Sequence, residues 1–344
     1  MRFTRKPLAA GVIALATLAA AAGCSSGAPA ASSSGSGASG KSAGITGSSS
    51  AKGVLNVGDQ KGTGAQAVLQ ASGLINKLPF KVKWSDFTSG PTMVQAMSTG
   101  AIDIGGVGDA PPVFAASGGE NIEIAGARET KGGDQDAVVV PKGSPIKSIS
   151  QLKGKKIGIS SGSSDDYHLL SVLNKNGISP KAVTMVNLQP APGLAAFTSK
   201  AIDAWDIWPP YVQQLAGQDG ARILTVGNPY GSQYSFEVAS KSSVQDPAKS
   251  KEIATYLKVL NQAYKWTGTH PGQWAKTWAQ ATGLPSNIMQ KAAVQDANVP
   301  ATITPAVAKS EQDIVDQFSS AGLIPNKIDI SKYITSQYNS SAGS

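Results

Sequence analysis

The chain is 344 residues long, 41% hydrophobic and 15% charged, with a formal net charge of +8. That length accommodates two lobes or one large domain, and the single cysteine excludes an intramolecular disulfide. Its 30 Lys and Arg residues form no basic run and no patch interleaved with aromatics, which excludes a nucleic-acid-binding face.

The first elements concern export. Arg2, Arg5 and Lys6 precede an apolar run over residues 8–22 that ends in Ala21-Ala22-Gly23-Cys24. A charged start, a short apolar stretch and small residues at a cleavage point make a secretory signal over residues 1–23. The run falls short of the roughly 20 residues that span a bilayer, so no retained membrane helix is expected. Cys24 stands where a lipoprotein signal places its acylated cysteine, and the motif resembles a bacterial lipobox with Ala21 where many carry Leu. Two acyl chains there would anchor the protein stably on the outer face of the cell membrane. Cleavage removes three of the 30 cations and none of the 22 acids, leaving a net charge of about +5. Residues 24–53 are nearly all Ser, Gly and Ala after the cysteine, the composition of a flexible tether.

Val54-Leu55-Asn56-Val57-Gly58 reads as a buried strand, and residues 65–77 carry apolar side chains at helical spacing. Phe80-Lys81-Val82-Lys83-Trp84 alternates as a half-buried strand does. Ser89-Gly90-Pro91 opens a helix that Gly100 closes. A second round predicts strands at 138–140, 156–159 and 184–186, with helices over 165–175 and 193–200. This rhythm predicts an α/β fold of mixed, mostly parallel sheets with flanking helices. Residues 246–266 then predict a long helix, with others around Trp274, Met289 and Ile314. Gly100-Ala101-Ile102-Asp103 and the later Pro111-Pro112 are echoed by Lys200-Ala201-Ile202-Asp203 and Pro209-Pro210. One recurrence so widely spaced is no solenoid, and it predicts two lobes of related build around a cleft. The expected division is 54–138 with 239–338 for the first lobe, 139–238 for the second, and a frayed tail over 339–344.

Ligands of open α/β sheets sit beyond the carboxyl ends of strands, where loops lead into helices. Three such loops are small and polar: Ser89-Gly90, Gly108-Asp109-Ala110 and Ser161-Gly162-Ser163-Ser164. Helix starts expose unpaired N–H groups and partial positive charge, so they hold an anion without a cationic side chain. Hydrogen bonds to a charged group contribute roughly 1.5–3 kcal/mol each. Three or four would reach the roughly 8 kcal/mol of a micromolar site, before association takes part of it back. In Ala204-Trp205-Asp206-Ile207-Trp208, Trp205 is expected to form an apolar wall of the cleft and Asp206 an acceptor, with Trp208 in the core or at a hinge. Gln60 and Lys61, in the loop after the first strand, complete the expected ligand-binding set.

Several motifs together carry a family resemblance: Gly58-Asp59-Gln60-Lys61-Gly62, Gly108-Asp109-Ala110-Pro111-Pro112, Leu152-Lys153-Gly154-Lys155-Lys156, Gly162-Ser163-Ser164 and Ile202-Asp203-Ala204-Trp205. Over residues 57–211 the chain resembles the sulfonate/taurine/nitrate family of ABC-importer binding proteins, its aliphatic-sulfonate branch in particular. The resemblance implies a type II periplasmic-binding-protein fold that closes over a small oxyanion. It also implies a monomer that delivers its ligand to an ABC permease, with taurine, nitrate or another small nitrogen or sulfur compound as the alternative cargo. Where the family continues Gly-Ser-Ser with a small residue and His, this chain has Asp165-Asp166. Two acids stabilise a helix start but oppose an anion, so they are expected either to face solvent or to meet a ligand bearing an amine. His168 on the same helix is expected to be a surface or packing residue.

An enzyme on this fold is a competing class. The only cysteine lies at the anchor, His168 and His270 are the only histidines, and no Gly-x-Ser-x-Gly elbow occurs. No catalytic set, metal site or cofactor is therefore expected. A ligand-sensing surface protein is a third class.

Overall fold

The computed structural model describes residues 53–60, 64–130, 136–227, 229–295 and 297–342. The expected signal sequence, Cys24, nearly all of the expected tether and Lys61 lie outside the described residues. The chain first lays down β1 (Val54–Asp59), α1 (Ala65–Ala71), β2 (Lys81–Asp86), α2 (Gly90–Ser98), β3 (Ile104–Val107), α3 (Ala110–Ser117) and β4 (Ile122–Thr130). It crosses to β5 (Ala137–Val140), β6 (Lys156–Ile159), α4 (Ser164–Lys175), β7 (Thr184–Asn187), α5 (Pro190–Thr198), β8 (Ala204–Ile207), α6 (Tyr211–Gly217) and β9 (Arg222–Val226). It returns through β10 (Tyr234–Ser240), α7 (Lys241–Gln245), α8 (Pro247–Thr269), α9 (Pro271–Thr282), α10 (Ser286–Gln295), β11 (Asn298–Ala301) and α11 (Pro305–Ala321).

Two sheets result, ordered β11-β4-β10-β3-β1-β2 and β7-β6-β8-β5-β9, and each is the centre of one lobe. The strands that alternate with helices pair in parallel: β2-β1-β3 in the first sheet, β7-β6-β8 in the second. Strands where the chain crosses or returns, β5 and β10 among them, run antiparallel to their neighbours, so the sheets are mixed. A strand joins its sheet as one ladder. β5 pairs wholly in the second sheet and β10 wholly in the first, so the expected boundaries at 138 and 238 cut through both strands. The helix expected over 65–77 also divides. Gly73 adopts φ 69°, ending α1 and leaving a 3₁₀ turn at Leu74–Lys77.

The echoed motifs occupy matching places. Asp103, at the end of the turn after α2, accepts the Asn56 N–H at 2.7 Å and returns its own N–H to Asn56 O at 2.8 Å. Asp203, after α5, does the same to Lys156, at 2.8 Å in both directions. Each Asp thus ties the start of one parallel strand to the strand beside it. Both preceding turns need a left-handed residue, Gly100 at φ 76° and Lys200 at φ 58°.

Separate apolar clusters fill the two lobes. α8, capped by the Asp246 carboxylate on the Ala248 and Lys249 N–H groups, lays Ile253, Tyr256, Leu257, Leu260 and Tyr264 on the first sheet's core. Val138, Ile157, Leu169 and Leu173 lie in the second lobe's core. One cluster spans both lobes, bringing Val113 of α3, Leu170 of α4 and Phe318 of α11 together. Among the described residues no helix is long and apolar enough to cross a membrane.

Candidate functional site

A cavity of about 140 Å³ lies between the lobes and takes its walls from both. The first lobe supplies Asp59 at the end of β1 with Gln60 after it, Gly90 at the start of α2, and Gly108 and Asp109 after β3. The second supplies Ser163 and Ser164 at the start of α4 and Trp208 and Pro209 after β8. These are the carboxyl ends of parallel strands, where α/β sheets place their ligands.

Three carboxylates, Asp59, Asp109 and Asp136, line the cavity. Arg128, the cation lining it among the described residues, rises from β4. Its guanidinium sits 4.6 Å from the Tyr264 ring centroid, its Nε lies 3.6 Å from Glu237 Oε1, and it donates to the Tyr264 hydroxyl. Burial raises the Asp59 carboxyl to about 6 and Glu237 to about 7, in the latter case despite the opposing pull of Arg128. Asp109 is pushed well above the usual carboxylate range by burial and by the neighbouring Asp136 charge.

The loop before α4 uses its own donors internally. Ser160 N–H donates to Asp165 Oδ2 at 3.0 Å, Ser161 N–H to Asn187 Oδ1 at 3.1 Å and Gly162 N–H to Asp166 Oδ2 at 2.9 Å. Ser163 N–H goes to Ser160 O at 3.0 Å. This corrects the expected anion nest: Ser161 is exposed, Gly162 is buried against Phe114, and only Ser163 and Ser164 of the four reach the cavity. Asp165 and Asp166 are buried rather than solvent-facing, because each carboxylate folds back to hold that loop. Burial raises Asp166 to about 6 and Asp165 well above its ordinary value.

Trp205 is not a wall of the cleft. It lies inside β8 with no exposed surface, and a Cβ added to Gly193 of α5 would come within 2.7 Å of its ring. Trp208, beyond the strand end, borders the cavity instead. Asp206 is equally enclosed, with its two oxygens 2.9 and 2.7 Å from His168 Nδ1. Burial lowers His168 to about 4, and burial together with the Asp136 charge pushes Asp206 well above the usual carboxylate range. His168 is therefore a core residue. Ser89 and Ala110 are also fully buried behind the lining, and the Ala110 N–H is held by Asp109 Oδ1 at 2.7 Å. Sequence reasoning missed Arg128, Asp136 and Tyr264. A lone cation ending the apolar stretch of β4 was the available signal for Arg128.

A model of the NMT1/THI5 like family matches residues 84–274. A putative aliphatic sulfonates-binding protein of Escherichia coli K12 is 31% identical over 292 residues, covering 83% of this chain and 90% of the relative. The chain belongs to this family. The taurine-binding periplasmic protein of the same bacterium is 38% identical over 144 residues, 42% of this chain and 43% of that one. Among solved structures, the alkanesulfonate-binding protein SsuA from Xanthomonas axonopodis pv. citri bound to MOPS superposes with a TM-score of 0.78. It shares 29% identity and covers 83% of this chain and 99% of its own. These relatives are named for binding rather than for a reaction, and the chain shares their two-lobed periplasmic-binding-protein fold. It is a solute-binding member of the family.

Proposed function

We propose that this protein captures a small aliphatic sulfonate outside the cytoplasm and delivers it to an ABC permease, tethered to the membrane through an acylated Cys24. The observation that carries the ligand reading is the interlobe cavity, where the Gly90 helix start, Gln60, Ser164, Arg128 and Trp208 line one enclosed space. Its size supports a small ligand, since an engineered cavity of about 150 Å³ takes up benzene. About 140 Å³ suits a head group with a short chain. Trp208 offers that chain an apolar face.

A second reading, an amine-bearing sulfonate of the taurine kind, is favoured by Asp59, Asp109 and Asp136. An ammonium beside those carboxylates would offset the repulsion that a simple anion meets. Calorimetric titration with ethanesulfonate, taurine, sulfate and nitrate separates the readings. Saturable binding of ethanesulfonate supports the first, taurine alone supports the second, and no binding of either overturns both. For the anchor, palmitate labelling of the expressed chain is expected to disappear in Cys24→Ala, and a wild type that takes up no label contradicts it.

A further inference from the structure

The lobes meet at points where one side is glycine. A Cβ added to Gly108, in the loop before α3, would lie 2.9 Å from Cβ and 3.2 Å from Oγ of Ser164 at the start of α4. One added to Gly162 would lie 3.2 Å from the Phe114 ring of α3, and one added to Gly217, the last residue of α6, 3.1 Å from Ile288 of α10. In all three places the nearest atoms belong to a single residue of the other lobe. Polar bridges accompany these contacts. Thr88 Oγ1 donates to Gln189 Oε1 at 2.8 Å, Gln213 Nε2 to Gln295 Oε1 at 3.2 Å, and Gln317 Nε2 to the Tyr167 hydroxyl at 3.0 Å. The lobes are thus in contact around the cavity, and Gly108 and Ser164 both line it.

Packed interiors do not absorb an extra methyl without movement. Gly108 is not in the left-handed region, so its own backbone accepts Ala, and the obstacle lies across the cleft. Gly162 differs, because its φ of 79° strains any side chain regardless of space. Gly108 is therefore the informative position.

We propose that the Gly108–Ser164 contact is the stop that fixes how far the lobes close, and that it thereby selects short ligands. The specificity part rests on the sulfonate reading above, whereas the closure part does not. Three variants of the full chain test it: Gly108→Ala, Ser164→Gly, and the two combined, in which the Cβ that the added methyl would meet is gone. Calorimetry with n-alkanesulfonates from methane- to octanesulfonate reads selectivity, and small-angle scattering without ligand reads the radius of gyration. Gly108→Ala is expected to weaken short members about 10-fold or more, the effect of roughly one misplaced methylene, and to shift the preference to longer chains. It is also expected to enlarge the radius of gyration at near wild-type Tm, with the double variant restoring the radius of gyration. An unchanged radius of gyration for Gly108→Ala, or an enlargement that Ser164→Gly fails to relieve, overturns the closure stop. If the wild type binds no alkanesulfonate the selectivity claim falls with the sulfonate reading, and scattering decides the stop by itself.

Discussion

Trp205, inside β8, has its ring enclosed by Phe197, Tyr211 and the open faces of Gly158 and Gly193, whereas Trp208, just beyond the strand, borders the cavity. Trp205→Ala is therefore expected to destabilise the protein by about 3–5 kcal/mol, a core loss visible in calorimetric melting. Trp208→Ala should leave Tm within a few degrees of wild type while weakening ligand binding. The reverse pattern would mean the two roles have been exchanged. Nothing in the run Ala204-Trp205-Asp206-Ile207-Trp208 separates the two rings, because the deciding fact is where β8 ends. Asp166 carries a second residue-scale prediction. Its pKa of about 6 exceeds its unfolded value of 3.8, so its favourable contribution is complete below the unfolded value and is lost as pH rises through about 6. Asp166→Asn keeps an acceptor for the Gly162 N–H and removes the buried charge. It should raise stability by about 1–3 kcal/mol at pH 7.5 and leave it nearly unchanged at pH 4. Equal effects at both values would show that ionisation is not what matters there.

At the scale of elements, the matched turns after α2 and α5 are where local sequence and long-range structure agree. The Ala-Ile-Asp echo was readable because the same job, tying two parallel strands through one carboxylate, demands the same residues in each lobe. Asp203→Ala should cost about 1–2 kcal/mol, since it leaves the Lys156 N–H without its partner. Lys200, a non-glycine at φ 58° where the first lobe has Gly100, predicts the opposite sign. Lys200→Gly should stabilise by up to about 1 kcal/mol in urea unfolding, and a loss of stability would show that the lysine makes contacts that outweigh its backbone strain. The strands β4, β9 and β11 were not legible. β11 contains Pro300 and owes its place to pairing with β4, a partner about 170 residues away that no local pattern reveals. The loop before α4 failed for a related reason. Its Gly-Ser-Ser composition reads as a free anion nest, and only the three-dimensional positions of Asp165, Asp166 and Asn187 show that the N–H groups of Ser160, Ser161 and Gly162 are occupied.

Across the whole molecule, two sheets of related build enclose one cavity whose donors and acids come from both lobes. Fold and family were legible because motifs recur in order over both lobes. Charge in the cavity was legible only in part: Asp59 and Asp109 lie in those motifs, whereas Arg128 and Asp136 lie outside them. Whether this cavity binds a small sulfonate is decided by titration calorimetry of the purified chain with ethanesulfonate, run beside Trp208→Ala. Saturable one-to-one binding is expected of the wild type, clearly weakened in the variant at unchanged Tm. No heat with ethanesulfonate or taurine, or equal binding by the variant, would contradict a sulfonate site walled by Trp208.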